Sequence, residues 1–431
     1  MTSNASPTAE ILLECSVLGA GRRVARSRTG IHRYIIELAL ALQELPIPPR
    51  LRPFCNDPQW LVASLEAVQE LGLEATLLEQ QMPPPPPDPS WMRSIPSRMR
   101  NKGKGMLARR GLTPFQRRTH QLICCAMANA PQPGLSVIHD PHLRSNFWGY
   151  GLIPRVCTIH DLVPLLHPQW CNDGVAKLQH NSLQALQPQD FIATVSEATR
   201  NDLLSCCPQI RADQCHVTPL AASPLFRPVE DPDLQQQARR AAGLAADTPY
   251  LLTLSTLKPR KNLSGVVRAY ATAAAEMGAD SVPDLLMIGQ SGWKDENLSR
   301  EIRDYGLESR IVRPGYLPDS VLPALYSGAL GFLYPSFHEG FGLPVLEAMQ
   351  CGTPVITSNG TSLAEIAADS ALLVNPYSTE DLTAALLQLL LNPDLRAELT
   401  RSGRRRATQY SWRRCAAATA KLYALALQGR Q

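Results

Sequence analysis

Short apolar runs recur along this chain, and most do not alternate with polar residues. They fall at 11–18, 135–139, 156–160 and 191–195 in the first half. In the second half they fall at 250–255, 285–289, 310–315, 331–334, 355–358 and 371–374. A continuous apolar run of this length marks a strand covered on both faces, as in a parallel sheet between helices. Helix-like segments lie between the runs, and the alternation implies α/β architecture. A proline-rich joint, Ser223-Pro224-Leu225-Phe226-Arg227-Pro228-Val229-Glu230-Asp231-Pro232, separates the two sets. With 431 residues the chain also exceeds one ordinary core. The expectation is two Rossmann-like, doubly wound domains, 1–225 and 233–410, facing across a cleft. A last helix over 411–431 is expected to pack back toward the first.

Composition removes several classes. Hydrophobic residues make up 44% and charged residues 19%, which fits a globular protein and not a disordered one. A net charge of +4 argues against general nucleic-acid binding. The eleven cysteines show no Cys-x-x-Cys or Cys/His zinc spacing. Cys124-Cys125 and Cys206-Cys207 are adjacent pairs in helix-like segments, where bridging is rare, so the thiols are expected reduced and the location cytoplasmic. Residues 1–10 lack the basic flank and apolar core of a signal peptide. No run of 18 apolar residues is available to span a membrane.

One segment departs from the pattern. The proline run 83–87 is expected to be extended polyproline II. Residues 92–118 then carry nine Lys or Arg and no acid. This is either a solvated loop or a patch for anionic lipid and a lipid-phosphate acceptor, with peripheral contact at the inner face of the membrane.

The chemistry concentrates in His338-Glu339-Gly340-Phe341-Gly342-Leu343-Pro344-Val345-Leu346-Glu347. Two carboxylates stand eight positions apart across a glycine-rich turn that opens a helix. Pro344 suits a first helical position, where its missing N–H costs nothing. The free N–H groups of the turn and the helix dipole make an anion site. Carboxylates repel a phosphate, so Glu339 and Glu347 better serve neutral hydroxyls on either side of it. The ligand so described is a nucleotide sugar. Arg260 and Lys261, in a loop that follows a strand and opens a helix, suit a pyrophosphate. His160 and Asp161 end a strand, where ligands of open α/β sheets bind. His139-Asp140 ends another strand in the same way. Ser196 closes a third, where an N-cap explains it equally well. Gly19 and Gly21 invite a dinucleotide reading, but the third glycine is replaced by Val24 and no acid stands about twenty residues on, which removes it. The loop there is long, and Gly30 at a helix start lets backbone approach a ligand. Tyr316, after the run at 310–315, either stacks or packs.

The stretch HEGFGLPVLEAMQCGTPVITSNGTSLAEIAADSALLVNP resembles the signature of the retaining glycosyltransferases of family 4, which have the two-domain GT-B fold. The resemblance covers most of the chain. It implies that Glu339 contacts the donor sugar's hydroxyls, that the turn Gly340, Phe341, Gly342, Leu343 holds sugar and phosphate, and that Glu347 bonds the ribose. It implies that Arg260 and Lys261 neutralise the leaving diphosphate, and that His160 lies over the donor sugar near the reacting centre. Asp161, Ser196, Gly30 and Tyr316 are implied to line the donor site. Many members have a further arginine earlier in the 254–262 loop, where this chain has Ser255 and Thr256. No metal site and no cofactor are expected, because the protein cations do that work and no Asp-x-Asp ends a strand. The segments 29–34, 158–162 and 259–262 look most like the mannosyltransferase branch, which favours GDP-mannose as donor over UDP-glucose. A growing glycan, lipid-linked or not, is the implied acceptor. A nucleotide-sugar epimerase of the same fold, or a degenerate binding subunit, is the alternative.

Overall fold

Two six-stranded sheets, parallel throughout, organise the described residues of the computed structural model. Those residues are 9–23, 30–82, 118, 121–122, 136–143, 153–171, 173–245, 248–278, 281–289 and 295–428. The first sheet contains β1 (Glu10–Glu14), β2 (Arg50–Phe54), β3 (Ser136–Asp140), β4 (Arg155–Ile159), β5 (Phe191–Thr194) and β6 (Cys215–Val217), in the order β2-β1-β3-β4-β5-β6. The second contains β7 (Tyr250–Leu254), β8 (Asp284–Ile288), β9 (Ile311–Gly315), β10 (Gly331–Tyr334), β11 (Val355–Ser358) and β12 (Leu372–Val374), in the order β12-β11-β10-β7-β8-β9. Every residue of β1, β3, β4, β8, β10 and β11 is buried, which is why these strands read as continuous apolar runs.

The strand orders fix where each sheet can hold a ligand. In the first sheet the chain reverses its direction of winding between β1 and β3, and in the second between β7 and β10. At such a reversal the loops leaving the two strands diverge and open a crevice at their carboxyl ends.

The structure corrects the sequence reading at its edges. The run 11–18 is not one strand: β1 ends at Glu14, and a helix, Ser16–Arg23, begins where Ser16 N–H donates to the Glu14 carboxylate (2.9 Å). Gly19 and Gly21 therefore lie in a helix and not in a ligand-facing loop. A Cβ on Gly19 would come 2.5 Å from the Trp60 carbonyl oxygen, and one on Gly21 would strike the His32 ring. Both glycines permit close helix packing. Strands β2 and β6 had no place in the apolar pattern. β2 carries Arg50, Arg52 and Pro53, which an edge strand tolerates, and β6 is an edge strand of three residues.

Residues 223–231 carry neither helix nor strand, and Pro232 opens the helix Pro232–Ala241. The last helix, Trp412–Gln428, packs on the helix Gly30–Gln43 and on β3, β4 and β5 of the first sheet. Cysteines 15, 55, 157, 171, 206, 207, 215, 351 and 415 are free thiols, while Cys124-Cys125 lies outside the described residues. The proline run and the basic segment also lie outside them, except Arg118, which donates to the Gln80 and Met82 carbonyls (both 3.4 Å). Among the described residues no helix is long and apolar enough to cross a membrane. Gly19→Val should push Ser16–Arg23 off the helix Leu61–Glu70 and cost about 1–3 kcal/mol, read as a lower urea midpoint. An unchanged midpoint would contradict the close packing.

Candidate active site

The second sheet's reversal brings two sequence motifs together. The loop after β7 turns through Pro259–Lys261, and Asn262 takes a left-handed conformation (φ 55°). Its side-chain amide donates to the carbonyls of Pro335 (3.2 Å) and Pro376 (2.7 Å), pinning the loop against the end of β10. Arg260 Nη1 donates to Glu339 Oε2 and to the His338 carbonyl (3.1 Å). Lys261 Nζ reaches Glu339 Oε1 and the Tyr334 hydroxyl. The Tyr334 hydroxyl in turn donates to Glu339 (3.3 Å). Both cations thus share one carboxylate that is 7% exposed.

Burial and charge compete here. Burial works to raise the Glu339 carboxyl, but Arg260 and Lys261 overcome it and hold it at about 2. Burial, helped by repulsion from Arg260, brings the Lys261 ammonium down to about 8 despite its pairing with Glu339. The hydroxyl of Ser255, just past the end of β7, is buried and has no hydrogen-bond partner among the described residues.

Beyond Glu339 the turn leads into the helix Leu343–Cys351. Gly342 has φ 123°, a conformation side chains rarely allow, and Pro344 is the second helical residue and not the first, a place where its missing N–H still breaks no intrahelical bond. In that first turn Pro344 has no N–H and the Val345 N–H turns back to the Gly342 carbonyl (3.0 Å), so the Leu343 N–H is the one left without a partner among the described residues. The helix Gly30–Gln43 starts opposite: a Cβ on Gly30 would lie 3.6 Å from Leu343 Cδ1. Two helix N-termini and two cations therefore border one region, an arrangement that favours an anion. Phe341 is buried, edge-to-face with Tyr410 (6.0 Å).

Glu347 is held from across the cleft. Arg33, on the helix Gly30–Gln43, bonds Glu347 Oε1 and also Asp319 (2.9 Å), while the Tyr326 hydroxyl donates to Glu347 Oε2 (3.2 Å). Burial raises the Glu347 carboxyl above its ordinary value, opposed by Arg33 and Tyr326. The sequence reading did not assign Arg33 a role. A pairing 314 positions apart leaves no local signal.

The first sheet meets this turn through main chain. Gly340 lies so close to His160 that a Cβ would come 1.8 Å from the His160 carbonyl oxygen. The Gly340 carbonyl accepts from Ser196 Oγ (2.7 Å) and Thr199 Oγ1 (2.9 Å). Ser196 also accepts from Thr199 N–H (3.0 Å), so it caps the helix Glu197–Cys206 and clasps the second unit at once. Glu365 takes the N–H groups of Glu197 and Ala198 at that helix start (both 3.2 Å). His160 Nε2 pairs with the Pro141 carbonyl (2.8 Å), and burial lowers the imidazole below its usual value. Asp161 Oδ1 accepts from Val163 N–H (3.1 Å), a turn contact. Tyr316 is 47% exposed, in the loop after β9.

A sequence model of "Glycosyl transferases group 1" matches residues 235–406. The "O-antigen chain mannosyltransferase B" of Escherichia coli is 34% identical over 297 residues, covering 67% of this chain and 74% of that protein. The "Serotype-specific mannosyltransferase WbdA" of Escherichia coli is 29% identical over 260 residues, 60% of this chain, but the match spans only 32% of that longer protein. Among solved structures, a sucrose-phosphate synthase from Thermosynechococcus elongatus superposes with a TM-score of 0.66 at 21% identity, covering 98% of this chain and 100% of that one. The chain belongs to the group 1 glycosyl transferases. It has their GT-B fold of two facing Rossmann-like domains and resembles the mannosyltransferases among them.

Gly340→Ala should hold the two units apart. Turnover should fall by roughly 10²-fold, as for a misplacement of about 1 Å, and small-angle scattering should show a larger radius of gyration. Wild-type scattering and turnover together would contradict the contact. The Lys261 amine should titrate near 8 in lysine-labelled NMR spectra, in a signal absent from Lys261→Met. Because the ordinary value is 10.5, the unfolded chain holds more protons from about 8 to 10.5, so this group's contribution to stability rises with pH over that window. The contribution of Glu339 is present above 4.5 and is lost as pH falls toward about 2.

Proposed function

We propose that this glycosyltransferase moves mannose from GDP-mannose to a growing glycan or lipid-linked acceptor, with retention of anomeric configuration. The observation that carries the reading is the convergence of Arg260 and Lys261 on Glu339, beside the N-terminus of Leu343–Cys351, at the reversal point of the second sheet. A diphosphate entering there gives both cations a second partner and brings its charge to two helix starts. The unpartnered Ser255 hydroxyl supports the same placement, since it offers a donor where many members carry an arginine. The two relatives' names, both mannosyltransferases, support the choice of sugar.

In this reading Glu339 accepts from hydroxyls of the donor sugar, and His160 covers the sugar from the facing unit. Glu347 exchanges Arg33 for the ribose hydroxyls. The bond from the sugar's anomeric carbon to the diphosphate oxygen breaks, and its electron pair stays on the diphosphate. Arg260, Lys261 and the turn at 341–343 stabilise the charge as it develops. The acceptor oxygen bonds the same face of the anomeric carbon, and its proton passes to a leaving phosphate oxygen. The reading requires no metal, because the two cations neutralise the diphosphate. A lipid-linked acceptor accords with the nine basic residues at 92–118, and contact with anionic lipid there is part of the proposal.

Thermal shift with nucleotides tests the donor. GDP should raise the unfolding midpoint and UDP should not. Glu347→Ala should weaken GDP binding by about tenfold or more, the loss of one charge-assisted contact of roughly 1.5–3 kcal/mol. Stabilisation by UDP alone would overturn the donor assignment. Parent-like GDP affinity in Glu347→Ala would overturn the ribose role.

A further inference from the structure

A line of buried polar contacts runs through the first unit from the last helix to His160. The Tyr423 hydroxyl lies 2.7 Å from His139 Nδ1. His139 Nε2 lies 2.9 Å from Thr158 Oγ1, and Thr158 Oγ1 lies 2.9 Å from the Tyr34 hydroxyl. None of the four residues is more than 2% exposed. The Tyr34 ring then meets the His160 ring edge-on, centroids 4.8 Å apart at 80°. Four elements contribute: the helix Trp412–Gln428, β3, β4 and the helix Gly30–Gln43.

Burying two phenols, a threonine hydroxyl and an imidazole would be costly if they were unpaired. Here each finds a partner, and a satisfied buried network fixes relative positions. Burial, together with His160 nearby, holds His139 down at about 3, so its imidazole is neutral and presents one donor and one acceptor nitrogen. Apolar side chains of the same volume would fill this space, so packing alone does not explain the polar line. Its end point does. Tyr34 bounds one side of the His160 ring, and the carbonyl that bonds His160 belongs to Pro141, two residues beyond His139 on the same chain segment. Trp412, at the start of the same last helix, also touches the Tyr34 ring (6.2 Å).

We infer that Tyr423, His139, Thr158 and Tyr34 are positioning residues for His160, and that the last helix thereby belongs to the catalytic apparatus of the first unit. The inference rests on the role given to His160 under the proposed function. Tyr423→Phe and Thr158→Val each remove one hydroxyl at nearly constant volume, and Thr158→Ser restores it.

The test compares these full-length variants and His160→Ala in transfer from GDP-mannose. A donor-independent arm tracks the His160 ring signals in histidine-labelled NMR spectra, assigned by their loss in His160→Ala. The Phe and Val variants should lose about ten- to a hundredfold in kcat, with donor KM within about twofold and shifted His160 signals. Thr158→Ser should recover most of the rate. Unshifted His160 signals and parent kcat in both hydroxyl-deletion variants would overturn the positioning role while leaving an inactive His160→Ala to support His160 itself. Equal rates for Thr158→Ser and Thr158→Val would also overturn it. Parent kcat in His160→Ala would remove the role of His160 and the positioning with it.

Discussion

One buried carboxylate shared by two cations sets the character of this site. Ion pairs taken out of water are weak sources of stability, because desolvation offsets their attraction. Removing one partner is the expensive change, about 3–5 kcal/mol, since it strands the others in a low-dielectric place. The Glu339, Arg260 and Lys261 cluster therefore argues for a site kept for chemistry. It carries one surplus positive charge, next to the start of a helix that offers more. The strand order makes the cluster possible, because only at the reversal between β7 and β10 do those two loops diverge around a shared crevice.

The contacts between the two units have a different nature. Many rest on main-chain atoms and short side chains, the Gly340 carbonyl, the His160 carbonyl, Ser196, Thr199 and the N–H groups at a helix start, beside the Glu365 carboxylate and the His338–Asp202 pair (3.0 Å). Such contacts are short-ranged and specific in direction. They form when the units approach in one register. Arg33 is one of the longer side chains in the contact, reaching Glu347 and Asp319 from the facing helix and lying over the Phe226 ring (5.3 Å). Its length lets it follow a rearrangement that the main-chain contacts cannot.

How much of this could be read from the sequence depended on whether the signal was local. Strands buried on both faces announce themselves as apolar runs, and Gly340, Gly342 and Pro344 around two glutamates announce a glycine-rich turn that opens a helix. The edge strands β9 and β12 show as runs too, but the two edges of the first sheet, β2 and β6, do not. β2 breaks the pattern with two arginines and a proline because one side of it has no neighbour to satisfy. Gly19 and Gly21 pointed to a loop because glycine is most often a turn residue. Their reason for being glycine is the Trp60 carbonyl and the His32 ring, which no neighbour in sequence reveals. The pairing of Arg33 with Glu347 and the line from Tyr423 to Tyr34 were equally out of reach, since each joins residues brought together only by the fold. Sequence spacing gives the residues that share a turn. It says nothing of what faces that turn from the other unit.

The path of the chain adds a mechanical consequence. It passes from the first sheet to the second through 223–231, and returns through the segment between the helices Pro393–Ala407 and Trp412–Gln428. Both passages are tied down. Gln350 donates to the Ser223 carbonyl at the first, and at the second Arg406 bonds the Glu365 carbonyl and the Tyr410 hydroxyl. A single covalent link would let two bodies twist freely about it, whereas two fixed links define an axis. Two links, each held by hydrogen bonds, restrain the relative placement of the units more than one would. Because the returning helix also carries Tyr423 and Trp412, the element that follows the second link is the one that braces the His160 side of the cleft.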